Sequence, residues 1–166
     1  MTTITLRGQP IHTGGNLPKI HALAPDFQLV NSDLELRSLK DFRGRKKLFN
    51  IFPSIDTPVC ALSTKKFNDH ARQHPEPVFL MVSADLPFAQ KRFCGIEGLA
   101  NVVTLSMMRD RDFARDWGLL VIDGPLAGLA ARAVVVVDEQ DRVVYHELVP
   151  EIAQEPDYAR ALEALG

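Results

Sequence analysis

The sequence predicts an α/β domain, and three observations support this class. An apolar strand over Lys47–Phe52 is followed by an amphipathic helix from about Pro58 to His74. A second apolar run, Val78–Ser83, comes directly after that helix. Near the end of the chain, Ala133–Val137 is an unbroken run of apolar and mostly β-branched residues, which is typical of an interior strand covered on both faces.

Turn chemistry and periodicity predict the remaining elements. Ile4–Leu6 and Pro10–His12 flank Arg7-Gly8-Gln9, which predicts a hairpin within about residues 1–16. The other predicted elements are strands at Phe27–Val30, Leu34–Leu36, Val102–Leu105 and Arg142–Leu148, and helices at Leu86–Phe93, Asp112–Trp117 and Glu155–Leu165.

The order of these elements narrows the fold class. A strand–helix–strand unit followed later by a strand–strand–helix unit is the order of a thioredoxin-like fold. The N-terminal β-hairpin precedes the first unit, and residues from about 85 to 130 form an insertion before the last β-hairpin. Because no repeat, low-complexity segment or linker interrupts the chain, we predict a single domain over residues 1–166.

Composition excludes several functions and suggests a location. A net charge of −2 gives no bulk attraction to nucleic acid or to an anionic membrane. The apolar runs are too short to span a bilayer, and the N-terminus lacks the pattern of a signal peptide. We therefore expect a cytoplasmic protein. Its two cysteines do not form a disulfide scaffold, so in a reducing compartment they are either inert or chemically active.

The segment that leads to Cys60 has the residues that hold a thiolate at the start of a helix. Thr57 is a suitable N-cap, whose hydroxyl is expected to accept a hydrogen bond from a first-turn amide. Pro58 fits the first helical position, where a missing N–H costs nothing. Cys60 then falls at the third position, where unpaired amides and the helix dipole favour the thiolate. The alternative is that Cys60 is a small buried apolar residue.

The same segment carries a family resemblance. The pattern Pro53-x-x-x-Thr57-x-x-Cys60 resembles the active-site signature of peroxiredoxins, which are thioredoxin-fold peroxidases. The resemblance is closest to the thiol peroxidase subfamily, the atypical two-cysteine peroxiredoxins, and extends over essentially the whole chain. The further segments that carry it are the N-terminal hairpin, Ser83–Gln90, Arg92–Gly95, Asp123–Leu126, Gly128–Ala133 and Glu155–Tyr158.

The resemblance implies a role for four residues around the peroxide. Cys60 would be the peroxidatic cysteine, whose thiolate attacks a peroxide oxygen and becomes a sulfenic acid. Thr57 would polarise the peroxide, although it also suits a purely capping role. Pro53 would shield the reacting atoms from water, or only terminate a strand. Arg132 would place a permanent positive charge beside the thiolate, whereas a lone arginine at a strand end is more often solvated.

The resemblance makes Cys94 the resolving cysteine. Its thiol would attack the Cys60 sulfenic acid and form an intramolecular disulfide. A disulfide needs Cα atoms within about 7 Å, so we expect the first turn of the Cys60 helix and the segment around Cys94 to unfold locally in each cycle. The alternative for Cys94 is a packing residue beside Phe93.

The predicted function is therefore reduction of organic hydroperoxides and hydrogen peroxide, with thioredoxin as reductant. The subfamily also implies a homodimer. No cofactor is expected, because the chain has no nucleotide-binding motif, and no metal site is predicted at His70 and His74 despite their helical spacing. A redox sensor or relay that uses the same cysteines is the main alternative. A disulfide oxidoreductase lacks its C-x-x-C motif here, and no motif pairs Cys60 with a histidine as in a hydrolase.

Overall fold

The computed structural model describes residues 1–166, which form ten β-strands and four α-helices numbered here in chain order. The strands are β1 (Thr2–Leu6), β2 (Gln9–Gly14), β3 (Leu29–Val30), β4 (Leu36–Arg37), β5 (Lys47–Ile51), β6 (Val78–Ser83), β7 (Val103–Ser106), β8 (Leu120–Val121), β9 (Ala133–Val137) and β10 (Val143–Leu148). The helices are α1 (Pro58–Gln73), α2 (Pro87–Glu97), α3 (Phe113–Asp116) and α4 (Tyr158–Leu165).

A mixed seven-stranded sheet in the order β10-β9-β5-β6-β7-β3-β4 forms the centre of the fold. Strands β5, β6 and β7 run parallel, and β9 pairs antiparallel with both β5 and β10. All five residues of β9 are buried, as the run Ala133–Val137 predicted. This arrangement confirms the predicted α/β thioredoxin-like fold class.

Both faces of the large sheet are covered, and the side chains of each strand alternate between two cores. On β5, Leu48 packs with the cluster under α1 and α4, while Phe49 and Ile51 belong to the cluster on the opposite face. Cys60 and Phe67 of α1 both belong to the first of these clusters, as expected of two residues on one face of a helix. The first turn of α1 therefore holds Cys60 inside a packed layer.

Two helix boundaries differ from the sequence prediction for local reasons. Helix α2 continues to Glu97, beyond the predicted end at Phe93, and stops where Gly98 adopts a left-handed conformation with φ +67°. Helix α4 begins at Tyr158, later than the predicted Glu155. Asp157 is its N-cap, and the Asp157 carboxylate accepts a hydrogen bond from the N–H of Arg160.

The insertion is joined to the N-terminal hairpin through a second sheet, which the sequence did not predict. Strand β8 pairs antiparallel with β2, giving a three-stranded sheet in the order β1-β2-β8. Close packing beside it requires Gly118, which has φ +70° and whose absent Cβ would lie 2.1 Å from the carbonyl carbon of Asn16. The insertion and the N-terminal hairpin thus share one β-sheet.

A single carboxylate holds the tip of the hairpin. Arg7 and Gly8 both have positive φ angles, 50° and 81°, and form the turn between β1 and β2. One Glu151 oxygen accepts the Arg7 N–H at 2.9 Å, and the other accepts the Gly8 N–H at 3.1 Å and the Thr5 hydroxyl at 2.6 Å. These bonds, the Thr5 hydroxyl first, lower the pKa of Glu151 to about 2.

None of the four helices combines the length and the apolar character needed to cross a membrane.

We predict that Glu151→Gln loosens the hairpin tip. A neutral amide cannot accept bonds as strongly as a carboxylate, so exchange of the Arg7 and Gly8 amide hydrogens should accelerate by roughly tenfold or more. Hydrogen–deuterium exchange measures this directly, with Glu163→Gln on the exposed face of α4 as the matched control. Unchanged exchange at both amides in Glu151→Gln would contradict the assignment.

Candidate active site

The chain between β5 and α1 places Cys60 as the sequence predicted. Thr57 is the N-cap, with an extended backbone at φ −100° and ψ 147°. Pro58 occupies the first helical position, and Cys60 is the third residue of the helix. The thiol has no solvent-exposed surface and lies at the positive end of the α1 dipole.

The predicted hydrogen bond of the Thr57 hydroxyl is wrong. The hydroxyl does not cap an amide of α1; it donates instead to the carbonyl oxygen of Ser54 at 2.9 Å. The Thr57 N–H also points to that carbonyl, at 3.2 Å, and the two bonds close a turn before the helix. Since no side chain caps the first turn, its N–H groups remain available to a negative charge at Cys60.

Arg132 contacts the Cys60 thiol directly. Its Nη2 donates to Cys60 Sγ at 3.2 Å, and its Nε donates to the carbonyl oxygen of Ile152 at 2.8 Å. Only 2% of Arg132 is exposed, so its charge acts on the sulfur with little screening by water. The third nitrogen, Nη1, is buried and has no partner in the protein. This arrangement places a positive charge against the Cys60 sulfur and leaves one donor of the guanidinium without a partner in the protein.

A cavity of about 340 Å³ opens beside this pair. Pro53, Thr57 and Arg132 all contribute to its wall, so the structure brings three of the five predicted site residues to one cavity next to Cys60. Pro53 is buried and lies two residues after the end of β5. The remaining wall is largely apolar and comes from the residues Leu6, Arg7, Ser54, Pro58, Val59, Pro125, Leu126, Leu129, Ile152 and Ala153.

Cys94 lies elsewhere. It is on α2, half-buried, and lines a different cavity that also includes Lys91 and Gly98. Burial raises the pKa of the Cys94 thiol above its ordinary value. Cys60 and Cys94 are both free thiols in this structure. No disulfide joins them in this structure.

Asp85 ties the loop before Cys60 to the strand end before α2. Its carboxylate accepts the Ser54 hydroxyl at 2.7 Å and the Ile55 N–H at 2.7 Å, together with the Ser83 hydroxyl. The Asp85 carbonyl also accepts a hydrogen bond from the Ser106 hydroxyl. The two cysteine-bearing segments therefore share one anchoring residue.

Two ion pairs also join α2 to the Cys60 region. Arg92 pairs with Asp56 at 3.3 Å, and Lys65 pairs with Glu97 at 2.9 Å. Both are exposed and so add little stability, about 1 kcal/mol or less each. They connect α2 to Asp56, directly before α1, and to Lys65 in the middle of α1.

Sequence analysis missed Arg7, Asp85, Glu151 and the carbonyl of Ile152 as parts of this region. The first lies in a turn and the last is backbone, so neither gives a recognisable pattern.

His70 and His74 stack at 4.4 Å between ring centroids, and no group of three or more potential ligands that could hold a metal is present.

The fold and the thiol–guanidinium pair define a thioredoxin-fold thiol oxidoreductase, and comparisons with known proteins narrow this class. The redoxin family profile matches residues 19–162. A thiol peroxidase of Mycobacterium tuberculosis is 54% identical over 166 residues, covering 100% of this chain and 99% of the relative. The chain therefore belongs to the redoxin family and, within it, to the thiol peroxidases. The predicted family and enzyme class, a thiol-dependent peroxidase, are confirmed.

Solved structures agree with this assignment. A peroxiredoxin-like protein from Aquifex aeolicus superposes with a TM-score of 0.93 at 37% identity, covering 99% of this chain and 96% of that one. A thiol peroxidase from Chromobacterium violaceum gives a TM-score of 0.91 at 23% identity, covering 98% of this chain and 94% of that one. The second similarity supports the fold alone.

We predict that Arg132→Gln slows the reaction of Cys60 with peroxide by about a hundredfold, the usual effect of removing one preorganised donor from a developing negative charge. The variant removes the charge beside Cys60 Sγ and the free Nη1 donor together. Rapid-mixing measurement of the first turnover tests this, with exposed Arg115→Gln as the matched control. A first-turnover rate equal to that of the control would exclude Arg132 from the reaction.

Proposed function

We propose that this protein reduces hydroperoxides through the Cys60 thiolate, with Cys94 as the resolving thiol and a thioredoxin as the reductant. The observation that carries the proposal is the buried contact of 3.2 Å between Arg132 Nη2 and Cys60 Sγ, with Arg132 Nη1 left free. One arginine thus faces both the nucleophile and the place where a peroxide oxygen would lie.

In the first step the Cys60 thiolate attacks the terminal oxygen of R–O–O–H. A sulfur–oxygen bond forms, the O–O bond breaks, and the electron pair leaves on the other oxygen as an alkoxide. Donors must stabilise this charge, and Arg132 Nη1 is the charged group in position to do so. The alkoxide takes a proton and leaves as the alcohol, or as water when the substrate is hydrogen peroxide. Cys60 becomes a sulfenic acid.

In the second step Cys94 attacks the Cys60 sulfur, a disulfide forms and water is released. Because Cys60 has no exposed surface and Cys94 faces another cavity, the first turn of α1 and the segment around Cys94 have to open. On the α1 side, the Ser63 and Thr64 hydroxyls donate to the Cys60 carbonyl at 3.1 and 2.9 Å. Opening therefore breaks or shifts these bonds.

The disulfide is then reduced by two electrons from an external dithiol, for which thioredoxin is the proposed donor. That reductant fits a reducing compartment, so a cytoplasmic location remains our prediction. A homodimer also remains a prediction. Phe88 and Ile96 of α2 support it, because they are 64% and 76% exposed and offer apolar surface for a subunit contact.

The largely apolar wall of the cavity supports organic hydroperoxides as substrates beside hydrogen peroxide. Leu6, Val59, Leu126 and Leu129 provide surface for an organic group.

We predict that Cys60→Ser abolishes turnover with thioredoxin, thioredoxin reductase and NADPH. Cys94→Ser should consume about one equivalent of peroxide and then stop, because no thiol resolves the sulfenic acid. Consumption of NADPH with cumene hydroperoxide and with hydrogen peroxide measures both. Undiminished turnover in Cys94→Ser would make the enzyme one-cysteine, and a wild type that reacts once without turnover would be a sensor or relay.

We also predict that disulfide formation accelerates with pH. Burial raises the pKa of Cys94, so the attacking thiol keeps its proton near neutral pH, and each further pH unit below that pKa adds up to about tenfold more thiolate. Rapid quenching after one equivalent of peroxide, followed by labelling of free thiols, gives the rate. Oxidation of Cys60 in Cys94→Ser, measured over the same pH range, separates the first step. A flat profile would mean that the pH-independent opening of the two segments limits the rate.

A further inference from the structure

The cavity beside Cys60 contains a second arginine that the proposed chemistry does not use. Arg7 and Arg132 are the only charged residues in the cavity wall. Arg132 is held by Cys60 and by the Ile152 carbonyl, whereas Arg7 is exposed at the hairpin tip. The Arg7 guanidinium makes no hydrogen bond or ion pair within the protein. Its charge is therefore available to a ligand.

The backbone at Arg7 is fixed although its side chain is free. The Arg7 N–H donates to Glu151, and all the other donors to this carboxylate are the Thr5 hydroxyl and the Gly8 and Ala153 N–H groups. Both oxygens of Glu151 are thus occupied by other donors and make no ion pair with the Arg7 guanidinium. The hairpin tip presents a positive charge from a defined point on the cavity rim.

Backbone geometry does not explain why this residue is an arginine. Arg7 has φ +50°, and two-residue turns with positive φ favour Asn or Gly at that position. Unfavourable backbone conformations often occur at functional sites, where the side chain has a role that offsets the cost. Arg7 at the cavity rim fits this pattern.

We propose that Arg7 binds the carboxylate of hydroperoxy carboxylic acids. The substrate would place its –OOH group at Cys60 and Arg132, lay its apolar chain along Leu6, Leu126 and Leu129, and pair its carboxylate with the Arg7 guanidinium. This proposal rests on the peroxidase function above and specifies a substrate class for the same site. Arg7 is a specificity residue, remote from the reacting atoms.

The test compares ω-hydroperoxy derivatives of hexanoic, octanoic and decanoic acid with their methyl esters, below micelle-forming concentrations. Each pair has the same peroxide and chain and differs only in charge. We expect the wild type to have the higher kcat/KM for the acid of at least one pair, mainly through a lower KM. The acid-to-ester ratio should fall about tenfold in Arg7→Gln, as expected for one charge-assisted pair. Arg7→Lys should recover part of that ratio.

Two controls complete the experiment. Arg72→Gln, an exposed arginine on α1 with a side chain outside the cavity, should keep the wild-type acid-to-ester ratio. The wild-type ratio should decline as ionic strength rises, because salt screens an exposed ion pair. A wild-type ratio near one for every chain length, or a ratio that Arg7→Gln leaves intact, would overturn the proposal while peroxidase activity persists. Absence of turnover with every peroxide, hydrogen peroxide included, would instead refute the proposed function.

Discussion

The contact between Arg132 and Cys60 is the interaction on which the rest of this site depends. A buried guanidinium is costly unless it has partners, and this one has two, the Cys60 sulfur and the Ile152 carbonyl, while its Nη1 has none in the protein. The pair forms only because β9 delivers Arg132 to the first turn of α1, from 72 residues away in sequence. The thioredoxin-like sheet is therefore part of the chemistry, since its strand order sets the distance between charge and thiol.

Local chemistry predicted the part of the site that depends on neighbouring residues. Thr57 and Pro58 are typical of an N-cap and a first helical position, so the position of Cys60 in the first turn could be predicted from its neighbours alone. The apolar run after Arg132 predicted its buried strand in the same way. The Thr57 prediction was wrong because the side chain is placed so that its hydroxyl donates to the nearby Ser54 carbonyl, and in that position its oxygen accepts no amide of the first turn.

Long-range partners were beyond what the sequence could predict. Three contacts join residues that have no periodic or local sequence signal. They are the pairing of β8 with β2, the hydrogen bonds of Asp85 to the loop before Cys60, and the hydrogen bonds of Glu151 to the hairpin tip. Helix ends were intermediate cases. Gly98 is a recognisable signal for the end of a helix, and α2 continues to it although the predicted end was Phe93.

The hydrogen bonds between Glu151 and the hairpin tip have a consequence for biosynthesis. The ribosome makes Arg7 long before Glu151, whose carboxylate orders the Arg7 turn from 144 residues further along the chain. The Ile152 carbonyl that orients Arg132 comes directly after Glu151. A nascent chain that already displays Cys60 therefore lacks both the arginine beside the thiol and the finished cavity wall. The ordered turn at Arg7 and the oriented Arg132 guanidinium can thus form only after Glu151 and Ile152 have been translated.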